Sequence, residues 1–315
     1  MTNNVEPILA KVAVLIPCHN EALVIGKVVQ NFREALPSSR IYVFDNNSTD
    51  DTIGEARKAG AIVRCVPLQG KGNVVRRMFG DVEADVYILV DGDGTYHAPS
   101  SREMVEKLFA ENLDMVVGCR ISTEQVAFRR GHVWGNQLFS SVVTRLFGRR
   151  CADLLSGYRA FSKRFVKSFP AMASGFETET EFTVHALELR MPIAEVPTPY
   201  CSRVQGSESK LNTYKDGLRI TIAILRLFML EKPFIFFGLI GTGLGVTSVM
   251  LAAPILVHYF ETGLVPRLPT ALLSTGLMLL AFLSIFSGLI LDSVARGRKE
   301  SRLLAYLSFS GPSEC

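Results

Sequence analysis

Tyr87-Ile-Leu-Val-Asp91-Gly-Asp93-Gly-Thr-Tyr96 is the stretch on which the reading of this chain turns. An apolar, β-branched run delivers two carboxylates, two positions apart, into a glycine-rich turn. Two hard oxygen donors on a turn suit Mg²⁺ or Mn²⁺, ions that keep several waters and bind a diphosphate at the same time. Such an ion neutralises charge building on a departing diphosphate. Taken alone, D-x-D is equally an ordinary turn, because Asp and Gly are common turn formers. Its weight comes from what surrounds it.

Upstream, strand-like segments at 11–16, 40–44, 61–66 and 86–90 alternate with helix-like segments at 22–35, 49–59, 73–79 and 100–110, and a fifth strand follows at 114–117. Alternation at this pace predicts right-handed crossovers and a mainly parallel sheet covered on both faces, an α/β fold. Ligands of such sheets bind beyond the carboxyl ends of the strands. Polar clusters fall there three times: Pro17-Cys-His-Asn20-Glu21 after the first strand, Asp45 to Asp51 after the second, and Asp91 to His97 after the fourth. Residues 119–210 are less regular, with helices expected at 132–147 and 179–189, and are expected to complete the acceptor side.

The rest of the chain sets bounds. Of 315 residues, 48% are hydrophobic and 20% charged, which excludes a disordered or collagen-like chain. A net charge of +4 without a long basic block speaks against a nucleic-acid partner. The six cysteines are scattered, with no C-x-x-C pair, and read as reduced thiols. The first residues carry neither a basic start nor an apolar core, so no secretory signal is expected.

Residues 234–257 and 270–291 are free of charge. As helices each would reach roughly 33–36 Å, enough to cross a hydrocarbon core of about 30 Å, whereas buried core helices rarely stay apolar for that long. Between them only Arg267 is basic, while Lys210, Lys215, Arg219, Arg226 and Lys232 precede the pair and Arg296, Arg298, Lys299 and Arg302 follow it. The positive-inside rule then predicts a two-span membrane hairpin with the catalytic domain and both termini cytoplasmic. Residues 211–232, with Lys215, Arg219 and Arg226 on a narrow arc, are expected to form an interfacial amphipathic helix, the other reading being a helix packed on the soluble domain. Gly241-Thr-Gly-Leu-Gly245 mimics part of a dinucleotide fingerprint but lies within an apolar run, where helix packing is its expected role.

The three clusters together resemble the family 2 glycosyltransferases of GT-A fold, whose nucleotide half carries P-x-x-N-E, then D-D-G-S-T-D-x-T, then D-x-D. Here Pro17, Asn20 and Glu21 match the first, Asp45-Asn46-Asn47-Ser48-Thr49-Asp50 stands for the second, and Asp91 and Asp93 for the third. The resemblance implies a Rossmann-like nucleotide-sugar domain in which Pro17, Asn20, Glu21 and Asp45 line the base and ribose pocket. It implies Lys71 and Arg76 beside the nucleotide, and Asp91 with Asp93 on Mg²⁺ or Mn²⁺. Asn46 and Asn47 depart from the family pattern and leave open which group reads the base.

Within that family the chain is most similar to polyprenyl-phosphate sugar synthases, of the dolichol-phosphate mannose synthase and bactoprenol glucosyltransferase type. Val117-Gly118-Cys-Arg120 resembles a G-S-R segment whose arginine faces the lipid phosphate. Asp153-Leu-Leu-Ser156-Gly157-Tyr158-Arg159 resembles D-x-x-S-G-[FY]-R, which carries the acceptor-side carboxylate. Arg203 and Ser207-Glu-Ser209-Lys210 resemble R-x-x-G-x-S-K. The resemblance implies Asp153, Asp93 and Arg120 as catalytic residues, Arg203 and Lys210 on the nucleotide-sugar, and Arg120, Arg129, Arg130 and Arg159 on the acceptor phosphate. Two anionic reactants need such compensating cations, arginine offering a bidentate fork. Arg129 and Arg130 serve equally as a membrane-surface contact.

The domain plan that follows has a catalytic domain at 1–210 (donor half 11–118, acceptor half 119–210), the interfacial helix, two spans within 233–292, and a cytoplasmic tail at 293–315. The expected activity is an inverting, metal-dependent transfer from a nucleotide-sugar, UDP-sugar favoured, to a polyprenyl phosphate; the plan leaves room for a homo-oligomer. A processive polysaccharide synthase would carry Q-x-x-R-W, and the one tryptophan, Trp134, lies elsewhere. A non-catalytic nucleotide-sugar-binding partner has no need to keep Asp91, Asp93 and Asp153 together. Glu177, Glu179 and Glu181 read as favourable charges at a helix start, with Glu177 or Glu179 in reserve as a base.

Overall fold

A computed structural model describes residues 10–122, 153–173, 175, 177–201, 222, 225, 226, 228–265 and 267–312. The expected helix at 132–147, Arg129, Arg130, Arg203, Lys210 and most of the expected interfacial helix lie outside them. The described residues fall into two compact units, one within Met1–Ile220 together with Arg302–Cys315, the other within Thr221–Ser301.

The first unit is built on seven strands: β1 (Val12–Cys18), β2 (Arg40–Asp45), β3 (Ile62–Cys65), β4 (Val86–Leu89), β5 (Met115–Ser122), β6 (Arg159–Ser162) and β7 (Ile193–Tyr200). Their order is β3-β2-β1-β4-β6-β5-β7. β1 pairs in parallel with β2 and β4, β2 with β3, and β5 with β7, so the sheet is mainly parallel as expected. β6, a strand that the sequence pattern does not predict, runs antiparallel between β4 and β5.

Both faces of the sheet are buried, and the strand period of two divides each strand between them. On β1, Ala13 and Leu15 join one core with Phe79, Phe161 and Phe182. Val14 and Ile16 join the other with Val29, Phe32 and Met104. The helices α1 (Ile25–Ala35), α2 (Thr52–Lys58), α3 (Lys71–Asp81), α4 (Ser100–Ala110), α5 (Lys163–Ser168) and α6 (Thr178–Glu188) cover these faces. In α1, Ile25, Val28, Val29 and Phe32 recur at helical spacing and are its buried residues.

The second unit holds α7 (Pro233–Thr262) and the first part of α8 (Leu268–Leu307), each long and apolar enough to cross a membrane. Small residues let the two helices meet. A methyl group at Gly241 would stand 2.9 Å from the Ala281 carbonyl oxygen and 2.7 Å from Ile285, so Gly241 serves helix packing, whereas Gly243 faces open space. Ser248 Oγ donates to the Ser274 carbonyl at 2.7 Å, and Ser284 Oγ to that of Phe237 at 2.9 Å.

The expected tail differs from the plan, because α8 stays helical to Leu307 and its residues from Arg302 belong to the first unit. Arg302 donates to Glu188 at 2.7 Å. Tyr306 donates to Asp114 Oδ2 at 2.8 Å, and Asp114 is fully buried and also accepts from Ser162 and Arg164. The tail is therefore part of the catalytic unit's packing.

Candidate active site

Three turns meet at the carboxyl ends of β1, β2 and β4. Asn20, in a left-handed conformation (φ 53°), accepts the Thr49 N–H on its side-chain oxygen at 2.7 Å, and its own N–H reaches Ser48 Oγ. Glu21 N–H donates to Thr52 Oγ1 and Ala22 N–H to Asp50. Burial works against the Asp50 charge, but Thr52 and these backbone donors outweigh it and lower its pKa. Asn20 thus clips the first turn to the second. Asp45, almost fully buried, accepts the Ser48 N–H on Oδ2, while its Oδ1 is buried without a hydrogen-bond partner among the described residues.

At the third turn, Asp93 Oδ1 accepts both the N–H and the hydroxyl of Thr95, which fixes its carboxylate. Asp91 faces a cation instead. Lys71, the first residue of α3, sets its ammonium 2.5 Å from Asp91 Oδ1 and 2.5 Å from Glu179 Oε1. Burial disfavours that charge, yet the two carboxylates outweigh it and raise the lysine pKa further. Glu179 Oε2 is buried with no hydrogen-bond partner among the described residues.

The turn that brings in Gly157 closes over this cluster. A methyl group at Gly157 would lie 2.5 Å from Asp91 Oδ2 and 3.1 Å from Lys71 Nζ, so only glycine fits. Its N–H donates to the Tyr96 hydroxyl at 3.0 Å. Burial and the nearby Asp91 raise the Tyr96 pKa, against the opposing pull of Arg120 and Lys71.

Asp153 and Arg120 form a bidentate pair, Nε to Oδ2 and Nη2 to Oδ1, both at 2.7 Å. Burial opposes ionisation of Asp153, but Arg120 prevails and holds the carboxyl below its ordinary range. Arg120 also lies over the Tyr200 ring, 5.5 Å from its centroid.

Several expected site residues stand elsewhere. Arg159 is fully buried and donates to the Ser156 and Leu154 carbonyls and to Thr183 Oγ1. Turned inward to hold its own turn, it cannot meet a lipid phosphate in this conformation; Arg120 takes the place beside Asp153. Arg76 places Nε and Nη2 on the Ala171 carbonyl at 2.9 and 2.6 Å, and anchors that loop rather than a nucleotide. Pro17 lies within β1 near its carboxyl end, and Glu21 three residues past it.

Glu179 belongs to the cluster, a place the sequence reading gives it only as a reserve base. Glu177, just before α6, and Glu179 and Glu181 in its first turn divide their work: Glu177 accepts from Gly175 N–H, Glu181 from the N–H groups of Met172 and Ala173, and Glu179 from Lys71. The E-x-E-x-E spacing could have signalled this, since residues two apart on a helix do not share a face.

The divalent ion fits the donor set in a restricted way. Among the described residues no three His, Cys, Asp or Glu side chains come together as a metal cluster. Among the described residues, the carboxylates this turn offers are Asp91 and Asp93, and Asp91 already faces Lys71. Few carboxylates, completed by phosphate oxygens and water, are what Mg²⁺-type sites use.

Three comparisons bear on this site. The chain is 32% identical to the glycosyltransferase AglJ of Haloferax volcanii over 288 residues, 89% of this chain and 94% of that one. It is 26% identical to a dolichyl-phosphate hexose transferase of the same organism, over 70% of this chain and 95% of the relative. Glucosyl-3-phosphoglycerate synthase from Mycobacterium tuberculosis, in complex with Mn²⁺, uridine diphosphate and phosphoglyceric acid, superposes with a TM-score of 0.57 at 21% identity, over 69% of this chain and 78% of that one. That likeness shows the GT-A fold. Residues 13–169, which carry every turn just described, match glycosyl transferase family 2, and the chain belongs to that family.

Proposed function

We propose that this glycosyltransferase moves a hexosyl group from a nucleoside diphosphate sugar, uridine favoured, to a polyprenyl phosphate at the cytoplasmic face of a membrane, with inversion. The observation that carries this is the bidentate Asp153–Arg120 pair set beside the Asp91 turn, a fixed cation where a phosphate acceptor approaches. The dolichyl-phosphate hexose transferase among the relatives and the two long apolar helices support a lipid acceptor and a membrane setting.

Asp45 offers one buried oxygen for a base. Uracil presents one imide N–H there, whereas guanine pairs two donors with a full carboxylate, and Ser48 already takes the other oxygen. Lys71, Asp91 and the partnerless oxygen of Glu179 suit sugar hydroxyls. Mg²⁺ or Mn²⁺ held with Asp93 would supply charge neutralisation on the leaving diphosphate.

An acceptor phosphate oxygen attacks the anomeric carbon, the bond from that carbon to the diphosphate oxygen breaks, and its electron pair leaves with the diphosphate. A phosphate monoester with a second pKa of about 6 is largely dianionic at neutral pH and has no proton to surrender. Asp153 then acts by holding Arg120, not by taking a proton.

The test is to incubate purified protein in detergent with undecaprenyl phosphate, Mg²⁺ or Mn²⁺ and a panel of UDP- and GDP-sugars, then weigh the lipid product. One hexose added, from a UDP-sugar in preference, is the expected result. No glycolipid from any donor would refute the proposal.

A further inference from the structure

Asn46 stands where the resembling family carries a second aspartate, and its side chain hydrogen-bonds to a neighbouring loop. It is buried immediately after β2, with its own N–H on the Cys18 carbonyl. Its carboxamide reaches across to the 66–70 loop, which joins β3 to α3. Nδ2 donates to the carbonyls of Val66 at 2.9 Å and Leu68 at 2.8 Å, and Oδ1 accepts the Gly70 N–H at 2.8 Å. Asn47, also left-handed (φ 61°), donates to the Pro67 carbonyl at 2.8 Å.

Val66 is buried in the core at the β3 end of this loop, but Leu68 is 66% exposed, so apolar burial does not hold the part that leads into α3. Gly70, at φ 123°, turns the chain into α3, and the next residue is Lys71. A carboxamide donates two hydrogen bonds and accepts others, while a carboxylate only accepts. An aspartate at this position would set a negative oxygen against two carbonyl oxygens. This loop is built for asparagine.

We propose that Asn46 is a positioning residue: by clamping three backbone groups of the 66–70 loop it holds Lys71 between Asp91 and Glu179. The departure from the family pattern is then matched by the loop rather than by the base. The proposal rests on the functional reading above, and predicts that Asn46 governs turnover of the sugar and leaves nucleotide binding alone.

The experiment compares wild type with Asn46→Asp and Asn46→Ser in the full-length protein in detergent, after checking that each melts cooperatively. Asn46→Asp is expected to lower kcat at least about tenfold, with the calorimetric affinity for UDP within about threefold of wild type. Its activity relative to wild type should recover as pH falls from about 8 to 5.5, because protonating the introduced carboxylate restores one donor. Asn46→Ser, uncharged and too short, should show the loss without the recovery. Hydrogen exchange should find the Gly70 amide protected in the wild type and residues 66–71 deprotected in both variants. Equal losses in UDP affinity and turnover would make Asn46 a nucleotide reader and overturn the proposal. An unprotected Gly70 amide in the wild type would do so without any variant. If the wild type turns over no donor, the functional reading fails, and the exchange data still decide whether the clamp exists.

Discussion

Replacing Asp153 by asparagine keeps the shape of the side chain and removes the charge that holds Arg120. In the wild type two fork bonds of 2.7 Å are joined by the Arg120 backbone N–H on Oδ2 at 3.3 Å. The paired side chains are 19% and 9% exposed, so water screens them little. The variant's amide can accept one fork bond and turns an NH₂ group toward the other donor. Losing one charge-assisted bond and leaving its donor opposed costs about 2–4 kcal/mol of stability at neutral pH. Because Arg120 holds the Asp153 carboxyl below its ordinary range, this stabilisation is complete above the unfolded pKa of about 4 and is lost as pH falls through the folded value. The gap in unfolding free energy between wild type and variant should therefore be full at pH 7 and close in strong acid.

Turnover should fall by about 10²–10³, the usual effect of misplacing one charge that meets the transition state. The decisive readout is the pH profile of initial rates with undecaprenyl phosphate. A positioning role gives a loss that is nearly constant from about pH 6 to 9, where the acceptor is already ionised. An acid limb in the wild type, at a pKa distinct from that of the lipid phosphate and absent from Asp153→Asn, would make Asp153 a base and refute this reasoning.

Asp93→Asn should cut turnover at least about a hundredfold, with chelator stopping the wild type and Mg²⁺ or Mn²⁺ restoring it; full activity in chelator would remove the metal from the mechanism. His185 is packed against Phe165 and Phe169, its Nε2 bonded to Ser168 Oγ, and burial with Arg302 nearby pushes its pKa down to about 3. It is neutral when folded and charges on unfolding, so stability should decline below about pH 6.5 with a slope approaching 1.4 kcal/mol per pH unit; His185→Phe should flatten the decline, and an unchanged slope would contradict it. A cysteine near Thr262 should react with a membrane-impermeant reagent from outside and one near Asn3 should not; labelling of both from one side would exclude the two-span hairpin with a cytoplasmic enzyme.

The donor half was legible because its signals are local. Five strands and four helices announce themselves through period, and the polar turns follow from strand order. The acceptor half hides its elements for identifiable reasons. β7 contains Pro197 and Pro199, which erase a strand signal, and the sheet tolerates them because β7 stands at the edge of the described sheet, beside β5. β6 is four residues long and opens with Arg159, a charge no pattern would bury. That arginine is accommodated by two carbonyls, a hydroxyl and the Phe182 face, partners that only the fold assembles.

The same difference separates the two arginines of the acceptor motifs. Arg120 lies two residues after Gly118 within β5 and Arg159 two after Gly157 at the start of β6, and the family resemblance assigns both to the phosphate. β5 and β6 lie side by side, so their register decides which guanidinium reaches the mouth of the sheet. Val117 pairs with Arg159 inside the sheet, three residues before Arg120 at the carboxyl end of β5. Arg120 engages Asp153 through Nε and Nη2, which leaves the Nη1 edge of the guanidinium for an incoming anion. A cation with half its donors fixed by a carboxylate is preorganised without being neutralised from every side, and that is the condition for bringing a dianionic acceptor to an anionic donor. The Asp91–Lys71–Glu179 cluster sets one lysine between two carboxylates. In these two clusters the charges are held across elements, so Arg120 on β5, Lys71 on α3 and Glu179 on α6 are placed together only by the assembled fold.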